Sequence, residues 1–190
     1  MTPEGETAGL KVEVVTVGNE LLNGDLADTN TARLGRFLRA RGLVIQRAQS
    51  VPDEEQAIVD ALSLAGSRSD VVLISGGLGP TEDDLTIRSA ARFAGVPLLL
   101  DQPTLERLRA RFERRGYPFT DNNVSQAEIP EGAEPLHNPV GTAPGVRLEA
   151  EGATFFFFPG VPRELQRLAQ DHLGPWLTQH ANVRPATSHT

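Results

Sequence analysis

In this 190-residue chain the residues whose types and spacing best suit chemistry are Glu82, Asp83 and Asp84. They follow a glycine-rich run, Ser75-Gly76-Gly77-Leu78-Gly79-Pro80-Thr81, which itself follows four apolar residues, Val71 to Ile74. A glycine-rich turn between a strand and a helix lets the backbone approach a ligand closely and aims free N–H groups at it, which suits a phosphate or another anion. Carboxylates beside such a seat create a conflict. Two unit charges about 4 Å apart near a protein surface repel by roughly 4 kcal/mol, whereas a helix N-terminus favours an exposed anion by only about 0.3–1 kcal/mol. A phosphate bound here therefore needs a cation, and Mg²⁺ is commonly held by one or two carboxylates together with substrate phosphates. Asp83 and Asp84 are the candidate metal ligands and candidate catalytic groups, able to orient or deprotonate a water. The competing structural reading places all three acids in the first turn of a helix, where they complement its dipole.

A second polar cluster, Gly18-Asn19-Glu20-Leu21-Leu22-Asn23-Gly24 and then Asp28-Thr29-Asn30, follows another apolar run, Val12 to Val17. Glu20 and Asp28 are candidates to complete an acidic site, although Asp-Thr-Asn ahead of an amphipathic run is also a helix N-cap signature. No Ser-His-Asp arrangement can be assembled. Of the four histidines, His180 and His189 fall near the C-terminus, His172 fits a packing role on the last helix, and only His137, before a Gly/Pro loop, is a candidate.

Composition removes other classes of function. There is no cysteine, hence no disulfide framework, thiolate metal site or cysteine nucleophile, which fits a reducing compartment. Formal charge is −7, and Lys11 is the only lysine among 18 basic residues. That leaves no Walker-type lysine, no Schiff-base residue and no basic face for nucleic acid. No run approaches the ~18 apolar residues of a membrane span, and the N-terminus lacks a leader pattern, so the chain is expected to be cytoplasmic.

These residues need a scaffold, and the spacing supplies one. Strands are expected at Val12–Val17, Leu43–Gln49, Val71–Ile74 and Val96–Leu100. Between them lie amphipathic helices carrying Leu34, Phe37 and Leu38, then Ile58, Val59, Leu62 and Ala65 after Pro52-Asp53, then Leu85 to Phe93. Alternating strands and helices with β-branched strands argue for an α/β fold with a mostly parallel sheet covered on both faces. With strand order 2-1-3, the Gly18 and Gly76 turns flank one crevice at the carboxyl ends of the strands. Pro103–Arg115 reads as a helix with Leu105, Leu108 and Phe112 inward and five arginines on a solvated face. Asp121–Glu128 reads as a short helix offering Asn122, Asn123, Ser125 and Gln126 for a site or for capping. Val146–Glu151 and Thr154–Phe158 read as a hairpin, and Phe155 to Phe158 demand a strand buried on both faces. Pro162 opens a last helix. Residues 1–10 and 179–190 read as flexible tails around a single domain, 11–178.

Taken together, Gly18-Asn19-Glu20-Leu21-Leu22-x-Gly24, Asp28-Thr29-Asn30, Gly76-Gly77-Leu78-Gly79-Pro80-Thr81-x-Asp83-Asp84-x-Thr86, Asn138-Pro139-x-Gly141-Thr142-Ala143-Pro144-Gly145 and Pro159-Gly160-Val161-Pro162 resemble the motifs of the N-terminal domain of the CinA family. That domain is similar in turn to the molybdopterin-binding domains of MoaB, MogA and gephyrin. The resemblance runs from about Val12 to Leu177 and implies a three-layer α/β/α fold. It also implies a phosphorylated ligand, an ADP-ribose-like nucleotide or molybdopterin, held by Asn19, Gly76, Gly77, Leu78, Gly79, Pro80, Thr81, Thr86, Gly141, Thr142 and Gly160. The implied chemistry is divalent-metal-dependent hydrolysis of ADP-ribose at Asp83, Asp84 and Glu20. Molybdopterin binding or adenylyl transfer is the alternative, and a non-catalytic binding module the third. A homo-oligomer is implied as well. One departure stands out: relatives carry Asn-x-Lys-Gln-Ala where this chain has Asn123-Val124-Ser125-Gln126-Ala127, which removes a cationic phosphate contact. The nicotinamide mononucleotide deamidase activity of two-domain CinA proteins is not expected of this domain.

Overall fold

Four consecutive phenylalanines need apolar cover on two faces, and the architecture supplies it. The computed structural model describes residues 9–180. Its strands are β1 Val12–Val17, β2 Ile45–Val51, β3 Val71–Ser75, β4 Leu98–Leu100, β5 Glu128–Pro130, β6 Glu134–Leu136, β7 Gly145–Ala150 and β8 Ala153–Phe158. Its helices are α1 Asn19–Leu22, α2 Thr29–Arg39, α3 Glu55–Gly66, α4 Thr86–Ala94, α5 Gln102–Arg115, α6 Pro162–Leu168 and α7 Gly174–His180. A 3₁₀ turn spans Asp121–Ala127, and one wider π turn, Ala169–Leu173, joins α6 to α7 ahead of Pro175, which has no N–H to give an α ladder.

The main sheet has the order β2-β1-β3-β8-β7-β6. β1 is parallel to β2 and β3, and β3 is parallel to β8, while β7 and β6 add antiparallel strands at one edge. Side chains alternate between two layers of core. Val15, Val17, Val72, Ile74, Phe155 and Phe157 pack with Ile58, Leu62 and Ala65 of α3 and Ala90 of α4. Val12, Val14, Val71, Leu73, Phe156 and Phe158 pack with Leu34 and Leu38 of α2, Leu165 and Leu168 of α6, and Trp176 of α7. Each phenylalanine is at most 1% exposed, so the period-2 alternation of a strand delivers two rings to each side. The result is a three-layer α/β/α fold. Between α4 and β6 the chain makes an excursion, in which β4 and β5 form a separate antiparallel pair and α5 packs on the 3₁₀ turn through Leu105, Leu108 and Ala127.

Three of the boundaries that differ from expectation do so for clear local reasons. β2 starts at Ile45, not Leu43, because Gly42 takes φ 74° and the Leu43 N–H donates to Leu38 O at 3.1 Å, closing α2 instead of joining the sheet. α4 starts at Thr86, so Glu82, Asp83 and Asp84 lie in the loop before the helix and not in its first turn. Gln179 and His180 complete α7, where the His180 ring stacks on Trp176 at 4.2 Å between centroids. Leu10 packs against the core edge. The rest of both expected tails, 1–8 and 181–190, lies outside the described residues. Among the described residues no helix is long and apolar enough to cross a membrane.

Candidate functional site

Parallel strands end on the same side, so β1, β2, β3 and β8 deliver their following turns to one rim. There Gly18–Leu21, Asp53, Gly76–Pro80 and Pro159–Pro162, with Thr142 and Ala143, enclose a cavity of about 840 Å³. Two glycines make the β3 turn possible. Gly76 has φ 110°, and a Cβ there would collide with the carbonyl oxygen of Val17 at the end of β1; Gly77 has φ 68°, and a Cβ there would collide with Oγ1 of Thr86. Close packing spends part of the turn's polarity on the protein. The Gly76 N–H donates to Phe158 O at 3.0 Å, continuing the sheet. The Gly79 N–H donates to Oδ1 of Asp84 at 2.7 Å, while the Thr81 N–H and hydroxyl donate to its Oδ2 at 2.9 and 2.5 Å. The N–H groups of Gly77 and Leu78 keep no acceptor among the described residues, which makes them candidate donors to an anion.

Asp84 is therefore the brace of this turn. Asp83 is exposed on the cavity rim, and Glu82 is exposed outside it. Thr86 is fully buried behind the turn with its hydroxyl donating to Gly76 O at 2.8 Å, and Thr81 is tied to Asp84, so neither lines the cavity. Leu78, Gly79 and Pro80 do line it, as do Asn19, Glu20, Thr142 and Gly160. Asn19 is held in turn: its N–H donates to Asp53 Oδ2 at 2.8 Å, and its Oδ1 accepts from the Asp53 N–H at 3.4 Å, locking the β1 and β2 turns together. Gly141 opens on a different pocket, because buried Asn138 curls that loop inward. Its Oδ1 accepts from the Val140 and Gly141 N–H groups at 3.1 and 2.9 Å, and its Nδ2 donates to Ala143 O at 2.8 Å and Glu164 Oε2 at 2.7 Å.

Electrostatics give the cavity its character. Among the described residues, seven carboxylates and no Lys, Arg or His side chain line it. Four of the seven are engaged by the fold: Asp84 and Asp53 as above, Glu164 by Asn138, and Asp28 by the N–H and hydroxyl of Thr31 at 2.9 and 2.5 Å, an N-cap of α2. Glu20, Asp25 and Asp83 have no protein partner among the described residues. No group of three acids or histidines is close enough to cage a metal ion alone among those residues. Asp25 escaped sequence reasoning because nothing in its neighbourhood marks which way the loop after α1 turns.

Two further residues were legible only in part. Asn30, within the Asp28-Thr29-Asn30 motif, is 9% exposed; its Nδ2 donates to Ser75 Oγ at 2.9 Å and Gly160 O at 2.7 Å, tying α2 to the β3 and β8 turns. Its Oδ1 is buried without a partner, as is Oε1 of Gln126, and both residues line the cavity. A buried amide oxygen left unpaired costs about 1–3 kcal/mol, so each is poised to accept from a donor on a ligand. Asn30→Ala should lower stability by about 1–3 kcal/mol in denaturant unfolding, because Gly160 O and Ser75 lose their shared donor. It should also weaken any cavity ligand, whereas Arg39→Ala, exposed on the same helix and away from the cavity, should do neither. Ser125, in place of the expected lysine, faces a smaller cleft of about 60 Å³ behind Gly77 and Gly79, shared with Arg88, and its hydroxyl donates to Asn122 O at 2.7 Å. His137 lies outside the cavity.

A family model described as a probable molybdopterin binding domain matches residues 13–179. A CinA-like protein of Myxococcus xanthus is 40% identical over 176 residues, which are 93% of this chain and 42% of that protein. A protein of Pyrobaculum aerophilum is 42% identical over 164 residues, 86% of this chain and 62% of its own length. The chain thus spans only part of the length of these relatives. Among solved structures, CinA of Thermoplasma acidophilum, a protein of unknown function, superposes with a TM-score of 0.80 at 36% identity, covering 87% of this chain and 96% of that one. MoaB of Thermus thermophilus superposes at 0.59 and 19% identity over 90% of this chain and 93% of its own, a likeness of fold alone. Matched by the family model over the whole layered fold and by the Thermoplasma protein over nearly its full length, the chain belongs to the molybdopterin-binding-domain family and, within it, to the CinA-like proteins.

Proposed function

We propose that the cavity binds a phosphorylated dinucleotide of the ADP-ribose class and that the domain hydrolyses its pyrophosphate with the help of a divalent cation. The observation that carries this reading is the charge pattern of the cavity: two free backbone N–H groups for a phosphate, surrounded by carboxylates with no cationic side chain. An anion entering such a site needs counter-charge from outside the protein. Asp83, and Glu20 or Asp25 across the cavity, fit a Mg²⁺ site of the kind completed by substrate phosphates, since no protein-only cage is required. A bound divalent cation neutralises phosphate charge and lowers the pKa of a coordinated water.

The chain's own residues do the rest. Gly77 and Leu78 N–H groups hold a phosphate oxygen, and the unpaired amide oxygens of Asn30 and Gln126 accept from ligand hydroxyls. Glu20, exposed and without a partner, takes the proton of the attacking water. Water adds to phosphorus, the bridging P–O bond breaks, and a nucleoside monophosphate and a sugar phosphate leave. A second reading, binding of a pterin phosphate such as molybdopterin, draws on the same two amide oxygens, which equally accept from pterin N–H groups.

Incubation of the protein with ADP-ribose and related dinucleotide pyrophosphates, with and without Mg²⁺ or Mn²⁺, tests the choice. Monophosphate release that requires the metal is the expected result. Thermal stabilisation by ADP-ribose with no release under any divalent metal would refute hydrolysis and leave a binding module.

A further inference from the structure

Of the five α5 arginines, Arg107, Arg109, Arg114 and Arg115 are exposed, as expected of a solvated face, and Arg111 is half-buried. Arg107, Arg111 and Arg114, one turn apart along the helix, line a pocket of about 150 Å³ closed on the other side by His137, Asn138 and Gly141, with no acidic side chain in its wall. This is a local reversal of sign in a chain of formal charge −7. Two of the three guanidiniums are held in place. Arg111 Nη1 donates to the carbonyls of Asn138 and Pro139 at 3.4 and 3.2 Å, and Arg107 Nη2 donates to Thr104 Oγ1 at 2.7 Å. Their charges, by contrast, are barely compensated. Arg107 has only a long ion pair with Asp101 at 3.8 Å, and neither Arg111 nor Arg114 pairs with a carboxylate among the described residues. Nε of Arg111 is buried with no acceptor among the described residues. Burial first, and then the neighbouring Arg115 charge, hold the Arg111 guanidinium below its ordinary pKa. His137 is likewise held low by partial burial, then by Arg107, His172 and Arg111, while Glu164 near Arg111 and Asp171 near His137, both outside the pocket wall, offset part of the repulsion among these cations.

We propose that this pocket between α5 and the Asn138–Pro144 loop is a second anion site, built to take a phosphate group. Guanidiniums match phosphate oxygens with paired N–H donors, and the unpartnered Arg111 Nε is one such donor waiting for an acceptor. The volume corresponds to about five waters, room for a phosphate and not for a nucleoside. The pocket shares Thr142 with the wall of the acidic cavity, so a bound phosphate belongs either to a free oxyanion or to the far end of a ligand reaching across that residue. The site does not depend on hydrolysis in the cavity.

The test is titration of the full chain with inorganic phosphate at low ionic strength, followed by calorimetry and by the phosphorus NMR line. Wild type should bind, and binding should weaken with added salt. Arg107→Gln/Arg114→Gln, at exposed positions where folding is spared, should weaken binding ~10-fold or more, and Arg111→Gln should do the same once its circular dichroism matches wild type. Arg39→Gln, which removes a cation outside both pockets, should leave phosphate affinity unchanged. Absence of phosphate binding to wild type, or equal affinity in the Arg107/Arg114 double variant, would overturn the site. Adding ADP-ribose, with its own resonances followed, separates the two sources: displacement of the bound phosphate assigns the pocket to that ligand, and retention while ADP-ribose is bound assigns it to a free oxyanion. If ADP-ribose fails to bind at all while phosphate binds to the arginines, the proposed substrate fails and the anion site stands.

Discussion

Asp83→Asn should reduce metal-dependent turnover of ADP-ribose by about 100-fold or more while leaving the unfolding midpoint unchanged. The substitution keeps the side chain's shape and removes the charge of a carboxylate that is exposed and bonded to no protein group. Asp84→Asn should behave in the opposite way. Its oxygens accept from two backbone N–H groups and one hydroxyl, and an amide nitrogen in place of one oxygen presents a donor to a donor. Hydrogen bonds to a charged group are worth about 1.5–3 kcal/mol each when removed, so a stability loss of about 2 kcal/mol is expected, together with loss of ligand binding as the Gly79 turn opens. Side-by-side denaturation and turnover curves decide the matter. If Asp83→Asn keeps full turnover, the acid is not a metal ligand; if Asp84→Asn is as stable as wild type, the carboxylate does not brace the turn.

Gly76→Ala should be the most damaging single-methyl substitution in the cavity, destabilising by about 4 kcal/mol or more. Two penalties add. A φ of 110° is strained for any residue with a Cβ, and the added methyl runs into the Val17 carbonyl, a backbone atom fixed by β1 pairing to both β2 and β3. Gly95→Ala isolates the first penalty. Gly95 caps α4 with φ 68°, but a Cβ there meets nothing within 4 Å, so only the left-handed backbone is paid for, about 1–2 kcal/mol. Urea unfolding of both variants measures the difference, and equal losses would show that β1 yields to the methyl. The comparison matters for function because the contact that excludes a side chain at Gly76 is the one that brings the Gly77 and Leu78 N–H groups to the end of β1.

Sequence alone determined those features that depend on near neighbours. Glycine turns after apolar runs, the Asp28 cap, the Phe155–Phe158 strand and the hydrophobic stripes of α2 and α3 each follow from contacts within a few residues, whereas strand–helix alternation gave a parallel sheet and the 2-1-3 order was selected by tertiary packing. With that order, those patterns bring Glu20, Asp83 and the Gly76 turn to one cavity. What they could not assign was the job of each polar group, because that depends on which distant atom meets it. Three adjacent acids look alike in sequence, yet Asp84 is drawn into the turn by Gly79 and Thr81 while Asp83 is left free. Asn30 reaches Ser75 and Gly160, 45 and 130 residues away, a convergence that no local pattern encodes. Helical spacing likewise put the α5 arginines on a solvated face, where four of the five lie; it did not show that the loop around Asn138 folds inward to form a pocket beside Arg107, Arg111 and Arg114. Amphipathic spacing records which face of a helix avoids water, whereas the partner of its charged face is decided by chain that arrives from elsewhere, and that is settled by tertiary packing.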